Sequence, residues 1–213
     1  MNMHRDKQIL RFVAGVFLLI TSVMYSPSIM AASSSPLQLI QSGSDRGLQI
    51  IKSSLFGGGP SLQQRREEIL TITEEYFDFD EMAKRALGRP WKEISAEERQ
   101  EFLQLFKQLL FNTYISRVEA TATPTTRTLY QGEQIEGRYA LVKTRVANDK
   151  EPDFEIDYRL VLSGSEWKVY DVVIEGISLV NNYRQQFASI LNNKPFKDLL
   201  NQLREKVETQ SRS

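Results

Sequence analysis

Cysteine is absent from this chain of 213 residues, and its only histidine is His4. Without cysteine the chain has no disulfide, no thiolate nucleophile and no cysteine-ligated metal. His4 lies in an N-terminal segment that we expect to be removed, so the mature protein would have no imidazole either. That excludes a Ser-His-Asp hydrolase and a histidine-ligated zinc site. Any catalysis would have to depend on Asp, Glu, Lys or Tyr.

A hydrophobic run long enough to span a membrane is also lacking. The apolar residues 12–25 are too few for a stable transmembrane helix, and Pro27 breaks the run. A positively charged head precedes the run and small residues follow it, which predicts a secretory signal peptide at residues 1–32, cleaved after Ala32. No cysteine at that site could carry a lipid anchor. We therefore expect a soluble exported protein with one domain at residues 33–208 and a frayed tail at 209–213.

The charge balance shows no basic excess. The chain has 27 Lys and Arg against 27 Asp and Glu, and residues 1–32 contain three of the cations and one of the carboxylates. The mature chain would therefore have a net charge of −2. A nucleic-acid-binding protein normally has an excess of positive charge, so this class is disfavoured. The hydrophobic content of 41% is that of an ordinary globular protein.

Capping patterns predict where the helices begin. Ser61 with Gln64, and Ser95 with Glu98, have the spacing of a capping box, and Asp78 is a further candidate cap. With the apolar periodicity they predict helices at residues 37–56, 61–76, 78–87 and 95–120. After the strands, two more helices are expected at residues 178–191 and 195–207.

The helix expected at 95–120 is apolar on more than one stripe. Its apolar residues are Phe102, Leu103, Leu105, Phe106, Leu109, Leu110, Phe111, Tyr114, Ile115 and Val118. Such a helix is covered on more than one side. Either it lies at the centre of an ordinary core, or part of the stripe faces a cavity for an apolar ligand. Periodicity leaves both interpretations open.

Four strands are expected at residues 127–134, 138–147, 154–162 and 166–175, because apolar residues there alternate with polar ones. Short turns between them predict an antiparallel meander. One face of the sheet is apolar and the other carries alternating charges. Those charges either pair across strands or form a docking surface for a partner protein.

The segment at residues 167–187 joins the last strand to a helix. Strict alternation places Trp167, Val169 and Val173 on one face and Tyr170, Val172 and Ile174 on the other. Gly176 permits a sharp turn, and Ser178 can cap the following helix. That helix can fold back over the sheet.

Three motifs carry a family resemblance. They are Tyr76-Phe77-Asp78-Phe79 with Leu87-Gly88 and Trp91, the helix with Ser95, Arg99, Phe102 and Phe106, and Trp167, Tyr170-Asp171 and Glu175-Gly176-Ile177-Ser178. Together they resemble the MlaC family, also called toluene-tolerance auxiliary proteins of an ABC transporter, over residues 37–205. The resemblance implies a periplasmic phospholipid carrier rather than an enzyme. It also implies an α+β, NTF2-like fold, in which a four-stranded curved antiparallel sheet and helices enclose an apolar lipid pocket.

The resemblance also implies a site and partners. By family position Ile177 lies in the pocket, and Ile156, Tyr158 and Leu160 lie on the inward face of the third strand. The apolar helix and sheet residues would complete the lipid-binding walls: Phe102, Phe106, Leu109, Leu110, Val142, Thr144, Val146, Val173, Val180 and Tyr183. No cofactor or metal is expected apart from phospholipid as cargo. The implied partners of a monomeric carrier are an inner-membrane MCE-domain protein of an ABC transporter and an outer-membrane lipoprotein complex.

Two functions from other classes remain open. The first is an NTF2-like enzyme with Asp171 or Glu175 as base, since simple pairing across Gly164 and Ser165 places Asp171 opposite Tyr158. The second is a periplasmic protein-binding module that uses the charged sheet face and has no internal ligand. Phospholipid bound to the purified protein would favour the carrier over both the enzyme and the protein-binding module.

Overall fold

The computed structural model describes residues 34–211 except residue 57, without the side chains of residues 55 and 56. The predicted signal peptide and its cleavage site lie outside the described residues. The α-helices are α1 (Pro36–Phe56), α2 (Leu62–Tyr76), α3 (Phe79–Leu87), α4 (Ala96–Thr121), α5 (Leu179–Leu191) and α6 (Phe196–Ser211). A 3-10 helix spans Arg89–Lys92. The strands are β1 (Arg127–Glu136), β2 (Tyr139–Ala147), β3 (Phe154–Ser163), β4 (Glu166–Ile174) and β5 (Ile177–Ser178).

The predicted caps begin their helices. The hydroxyls of Ser61 and Ser95 accept from the backbone N–H groups of Gln64 and Glu98, and the side chains of Gln64 and Glu98 accept in return from the cap backbones. The Asp78 carboxylate accepts from the backbone N–H of Glu81 at the start of α3. Each cap satisfies amide groups that the first turn of a helix leaves without a partner.

The strands form one antiparallel sheet in the order β1-β2-β3-β4-β5. The predicted α+β class with a curved antiparallel sheet is confirmed, but there are five strands rather than four. The additional strand follows Glu175 and Gly176, which have φ angles of 48° and 77°. These two left-handed residues turn the chain so that Ile177 pairs with Ile174 before α5 begins.

A β-bulge in β4 corrects the predicted faces of that strand. Tyr158 pairs with Val172, Arg159 with Asp171, and Leu160 with Val169, so Tyr170 is an extra residue. An extra residue in one strand reverses the alternation beyond it. Hence Val172 and Ile174 share a face with Trp167 and Val169. Val173 and Asp171 lie on the opposite face, so the predicted pairing of Asp171 with Tyr158 is wrong.

We call the apolar side of the sheet the inner face. Residues paired directly across strands share a face, so it includes Ala140, Val142, Thr144, Ile156, Tyr158, Leu160, Val169 and Val172. On the opposite, outer face, Arg145 and Glu155 are register partners and form an ion pair at 3.3 Å. That pair is exposed on both sides, so it contributes little to stability.

Two large hydrophobic cores result, beside a smaller cluster of Ile51, Ile69 and Ile115. The helical core joins α3, α4, α5 and α6 around Phe102, Phe106 and Phe187. The sheet core joins the inner face to Ile40 of α1 and Leu179 of α5. The side chains of Phe77 and Tyr114 pack against both cores. The junction between sheet and helices is therefore apolar and continuous.

The last helix is longer than expected. Helix α6 continues to Ser211, beyond the predicted end at residue 207, and residues 212 and 213 of the predicted frayed tail lie outside the described residues. Near its end, the Gln210 amide donates to the Thr113 hydroxyl of α4 at 2.9 Å, and Val207 is buried in the helical core. These contacts anchor the last turn.

Candidate functional site

The inner face provides an apolar wall. The side chains of Val142 and Leu160 are fully buried, and those of Ile156 and Tyr158 are partly buried. Thr144 is buried too, but its hydroxyl donates to the Ile156 carbonyl at 2.7 Å. Because that polar group is satisfied within the sheet, the wall has no unpaired donor there.

Helix α1 lies over this wall. Leu37, Leu39 and Ile40 pack into the sheet core. The Leu37 N–H donates to the Glu133 carboxylate at 2.8 Å, and the Tyr130 hydroxyl donates to Asp45 at 3.0 Å. Apolar contact and two polar attachments to β1 therefore keep α1 on the inner face.

Tyr130 is held in its neutral form. Burial, followed by the hydrogen bond to Asp45, raises the pKa of Tyr130 to about 12. Burial likewise raises the pKa of Tyr158. A tyrosine near an apolar wall avoids ionisation because the phenolate would lose its hydration.

The attachment of α1 should weaken at high pH. An unfolded tyrosine ionises near pH ~10. Since the pKa of Tyr130 is raised on folding, its contribution to stability is complete below that pH and is lost as the pH rises toward 12. At pH 8 the Tyr130→Phe variant should be less stable than wild type by about 0.5–1.5 kcal/mol. Urea denaturation at pH 8 and pH 11 should show this gap narrowing, and a gap of constant size would contradict it.

The predicted helix residues lie in the helical core. Phe102 and Phe106 are completely buried, and their rings lie 5.7 Å apart. Leu110 and Val180 are buried in the same core. Their packing is that of ordinary core residues, the first of the two interpretations of this helix.

Leu109 and Tyr183 lie at a groove between α5 and α6. The groove has a volume of about 620 Å³. Its apolar lining also includes Phe187, Leu199 and Leu203, with polar residues of α6 at its border. The pKa of Tyr183 is raised by burial. Both side chains are themselves buried in the helical core, but unlike Phe102 and Phe106 they also contribute to the lining of this groove.

The remaining predicted residues are divided between the two faces of the sheet. Val146 is half-buried and lies on the inner face between Thr128 and Phe154. Val173 lies on the outer face, opposite Asp157, so the bulge removes it from the predicted pocket. Ile177 is paired with Ile174 of the inner face and is 62% exposed. It is an apolar side chain at the edge of the wall.

A second cavity of about 620 Å³ was missed by the sequence reasoning. It opens between α1 and the start of β1 and is lined by Asp45, Leu48, Gln49, Lys52, Ser53, Thr126, Arg127 and Thr128. The spacing of Asp45, Leu48, Gln49 and Lys52 places them on one face of a helix. The sequence shows that these residues share a helix face, but it does not show that the start of β1 lies opposite that face.

Asp171 has a structural role. Its carboxylate accepts from Arg159 at 3.0 Å, from the Ser178 hydroxyl at 2.6 Å and from the Val180 N–H at 3.0 Å. The side chain is only 3% exposed and faces away from the inner wall. It fastens the start of α5 to β4 from the face of the sheet opposite the predicted pocket. The proposed role of Asp171 as a base therefore has no support in its geometry.

Replacing Asp171 should destabilise the fold. Asp171→Ala leaves the buried Val180 N–H without its acceptor, so we expect a loss of about 2–3 kcal/mol in the free energy of unfolding. Most of the loss should come from the two bonds at α5, since Arg159 is 45% exposed and its pair is screened by solvent. Urea denaturation would measure it, with Arg159→Gln as a milder comparison. An Asp171→Ala protein as stable as wild type would contradict this role.

Metal and membrane features are not found in the part of the chain that the structure describes. Across residues 34–211 no group of three or more His, Asp or Glu side chains is placed to hold a metal ion. Nor does any described helix combine the length and the apolar character that crossing a bilayer requires.

Comparison with known proteins gives consistent matches. The family described as "MlaC protein" matches residues 41–205. A curated relative from Haemophilus influenzae is named intermembrane phospholipid transport system binding protein MlaC, and it is 22% identical over 204 residues, covering 92% of this chain and 90% of the relative. The solved structure of a phospholipid-binding protein from Ralstonia solanacearum, in complex with a phospholipid, is 25% identical with a TM-score of 0.69. That match covers 81% of this chain and 97% of the other.

Proposed function

We propose, because this chain belongs to the MlaC family, that it is a carrier that moves phospholipid between membranes with the acyl chains held inside the protein. A relative of this family is named as the binding protein of an intermembrane phospholipid transport system. The neighbour from Ralstonia solanacearum was solved with phospholipid bound, and the two folds agree over almost all of that chain. The function is binding and transfer, without a chemical reaction.

The observation that carries the proposal is the apolar inner face. Its residues in β2, β3 and β4, such as Val142, Leu160 and Val172, are aliphatic or aromatic. Its buried hydroxyl, that of Thr144, donates a hydrogen bond within the sheet. The carboxylate of Glu133, which pairs with Val142, accepts from the backbone N–H of Leu37 in α1. Acyl chains need such a wall, because a buried charge without a partner would be costly beside them.

The physical need for a carrier is large. A diacyl lipid has about 30 methylenes, each costing roughly 0.8 kcal/mol when exposed to water. Free diffusion through an aqueous compartment is therefore negligible. The free energy of the acyl chains in the carrier's pocket must be close to that in the bilayer, since a much more favourable pocket would never release its cargo.

The acyl chains would lie between the inner face and the helices. The proposed lining consists of Val142, Ile156, Tyr158, Leu160 and Ile177, continued by Val146 at one end and by Leu109 and Tyr183 at the groove. Leu37 and Ile40 of α1 occupy part of this face. Cargo would displace them, so α1 is the element that has to shift on loading. Phe102, Phe106, Leu110, Thr144 and Val180 would support the walls from within the core.

The proposed location of the mature protein is the periplasm, to which the predicted signal peptide would direct its export. The protein would exchange its cargo with an inner-membrane MCE-domain protein and with an outer-membrane lipoprotein complex. The transport-system name of the relative supports partners of this kind.

Lipid analysis of the purified protein tests the proposal. Protein isolated from the periplasm under native conditions should carry phospholipid, detected by native mass spectrometry and by extraction. A folded protein of similar size, purified from the same periplasm, controls for lipid carried over during purification. Folded protein without extractable lipid, which also fails to load from vesicles, would favour a protein-binding module and overturn the carrier.

A further inference from the structure

Two tyrosines lie among the aliphatic residues of the inner face. Tyr130 pairs with Thr144 and Tyr158 pairs with Val142, so both side chains belong to this face and only strand β2 separates them. Both rings pack against the sheet core, where a phenol hydroxyl needs a hydrogen-bond partner. Because both residues belong to the sheet, they stay in place when α1 shifts on loading.

Helix α1 supplies partners for both hydroxyls. The Tyr130 hydroxyl donates to the Asp45 carboxylate at 3.0 Å. Burial raises the pKa of Tyr158, and a hydrogen-bonding interaction with Ser44 opposes that rise. Burial and Asp45 likewise raise the pKa of Tyr130, and Ser44 has the smaller, opposing effect there too. The two hydroxyls therefore meet one short polar segment of α1, residues 44 and 45.

Helix α1 thus makes both apolar and polar contacts with the inner face, as a bound lipid would. Leu37 and Ile40 pack into the sheet core, and Ser44 follows one turn later on the same side of the helix. Cargo that displaced Leu37 and Ile40 would displace Ser44 and Asp45 as well, since all four lie in the first half of one helix. The tyrosine hydroxyls then need new acceptors, because a buried hydroxyl without a partner is costly.

The charge nearby favours a neutral acceptor. Glu133 pairs with Val142, so it belongs to the same face as the two tyrosines. Its partner, the Leu37 N–H, would leave with α1. A lipid phosphate would be repelled by this carboxylate, whereas the carbonyl oxygen of an ester is neutral and can accept a phenol hydrogen bond. A diacyl phospholipid has two such carbonyls, held close together by its glycerol backbone where the acyl chains begin.

We infer that Tyr130 and Tyr158 donate hydrogen bonds to the ester carbonyls of the bound phospholipid and exchange Ser44 and Asp45 for them, an inference that rests on the proposed carrier function. The esters are common to diacyl phospholipids, so this contact fixes the depth of the lipid without reading its headgroup. It also makes α1 an internal competitor of the cargo, because α1 and the lipid use the same two donors.

Competitive loading of ester and ether lipids tests the inference. Lipid-free protein is offered phosphatidylglycerol and its dialkyl ether analogue, with chains of equal length, in mixed micelles. The bound lipids are extracted and counted by mass spectrometry. Wild type should prefer the ester lipid by about tenfold, since the ether has no carbonyl oxygen and each lost hydrogen bond lowers affinity a few-fold. Tyr130→Phe/Tyr158→Phe should load the two lipids about equally.

Matched controls separate this effect from a general effect of removing tyrosine hydroxyls. Tyr139→Phe/Tyr170→Phe removes two hydroxyls from rings that lie 6.0 Å apart, with Tyr139 paired to Val161 of the outer face, and should keep the wild-type preference. Tyr158→Phe alone should lose part of the preference, which keeps the test usable if the double variant folds poorly. Circular dichroism on each preparation verifies folding.

Removing the competing groups of α1 should have the opposite effect. Ser44→Ala/Asp45→Ala leaves the two wall hydroxyls without their internal partners, so this variant should bind the ester lipid about threefold or more tightly than wild type. Titration of lipid-free protein with phosphatidylglycerol measures the change. Equal or weaker binding by this variant would overturn the exchange of partners.

The loading results also distinguish this inference from the carrier function. Equal loading of ester and ether lipid by wild type would overturn the inference while leaving the carrier intact, and it would be the result expected if the phosphate, which both lipids share, were the group held. A preference that persists in Tyr130→Phe/Tyr158→Phe would overturn the inference too. Failure of wild type to load either lipid would instead refute the carrier function itself.

Discussion

Ile177→Glu is expected to give a well-folded protein that carries little lipid. Ile177 is 62% exposed, so its replacement should change the free energy of unfolding by no more than about 0.5 kcal/mol. It is also the register partner of Ile174 on the inner face, so it borders the proposed acyl-chain wall. A carboxylate there would lose hydration against acyl chains at a cost of several kcal/mol. We expect at least about a tenfold loss in lipid affinity.

Lipid extraction and circular dichroism on the same preparation would measure both properties. Leu129→Glu is a suitable control, because Leu129 is a partly exposed apolar residue of the same sheet, paired with Arg145 of the outer face. It introduces the same charge on the face that should not touch the cargo. A normal lipid load in folded Ile177→Glu would remove this residue from the site.

Phe106→Ala is expected to give the largest loss of stability. Phe106 is completely buried, and its ring lies 5.4 Å from the ring of Tyr183 and 5.7 Å from those of Phe102 and Phe187. Truncating such a side chain removes its apolar burial and leaves a cavity, which costs about 3–5 kcal/mol. For a domain of this size the melting temperature should fall by roughly 10 °C.

Denaturation of lipid-free protein would show whether this loss belongs to the fold or to the cargo site. Val118→Ala in the same helix is the control, since Val118 is 40% exposed and should cost little. If lipid-free Phe106→Ala were as stable as wild type and lost only its lipid, Phe106 would line the pocket after all. That outcome would restore the second interpretation of α4.

The helices and most strand limits were predictable because they depend on local chemistry. Ser61, Asp78 and Ser95 satisfy the first amide groups of their own helices, so short-range spacing is sufficient to locate them. The alternation in β2 and β3 likewise identified the inner face, since side chains of a regular strand alternate. The family motifs added the fold class, which the structure and the comparisons confirm.

The sequence by itself determined where the elements begin and which face of the regular strands is apolar. It also determined which kinds of catalysis are excluded, because the chain has no cysteine and its only histidine is His4. Only the tertiary structure decided what each face meets. The bulge at Tyr170 moved Val173 and Asp171 to the outer face, because one extra residue shifts a register that no local pattern records. Helix α1 and the start of β1, which are far apart along the chain, together line an open cavity. Such a cavity depends on how distant elements pack, so the residues at its border look like ordinary surface residues until the chain is folded.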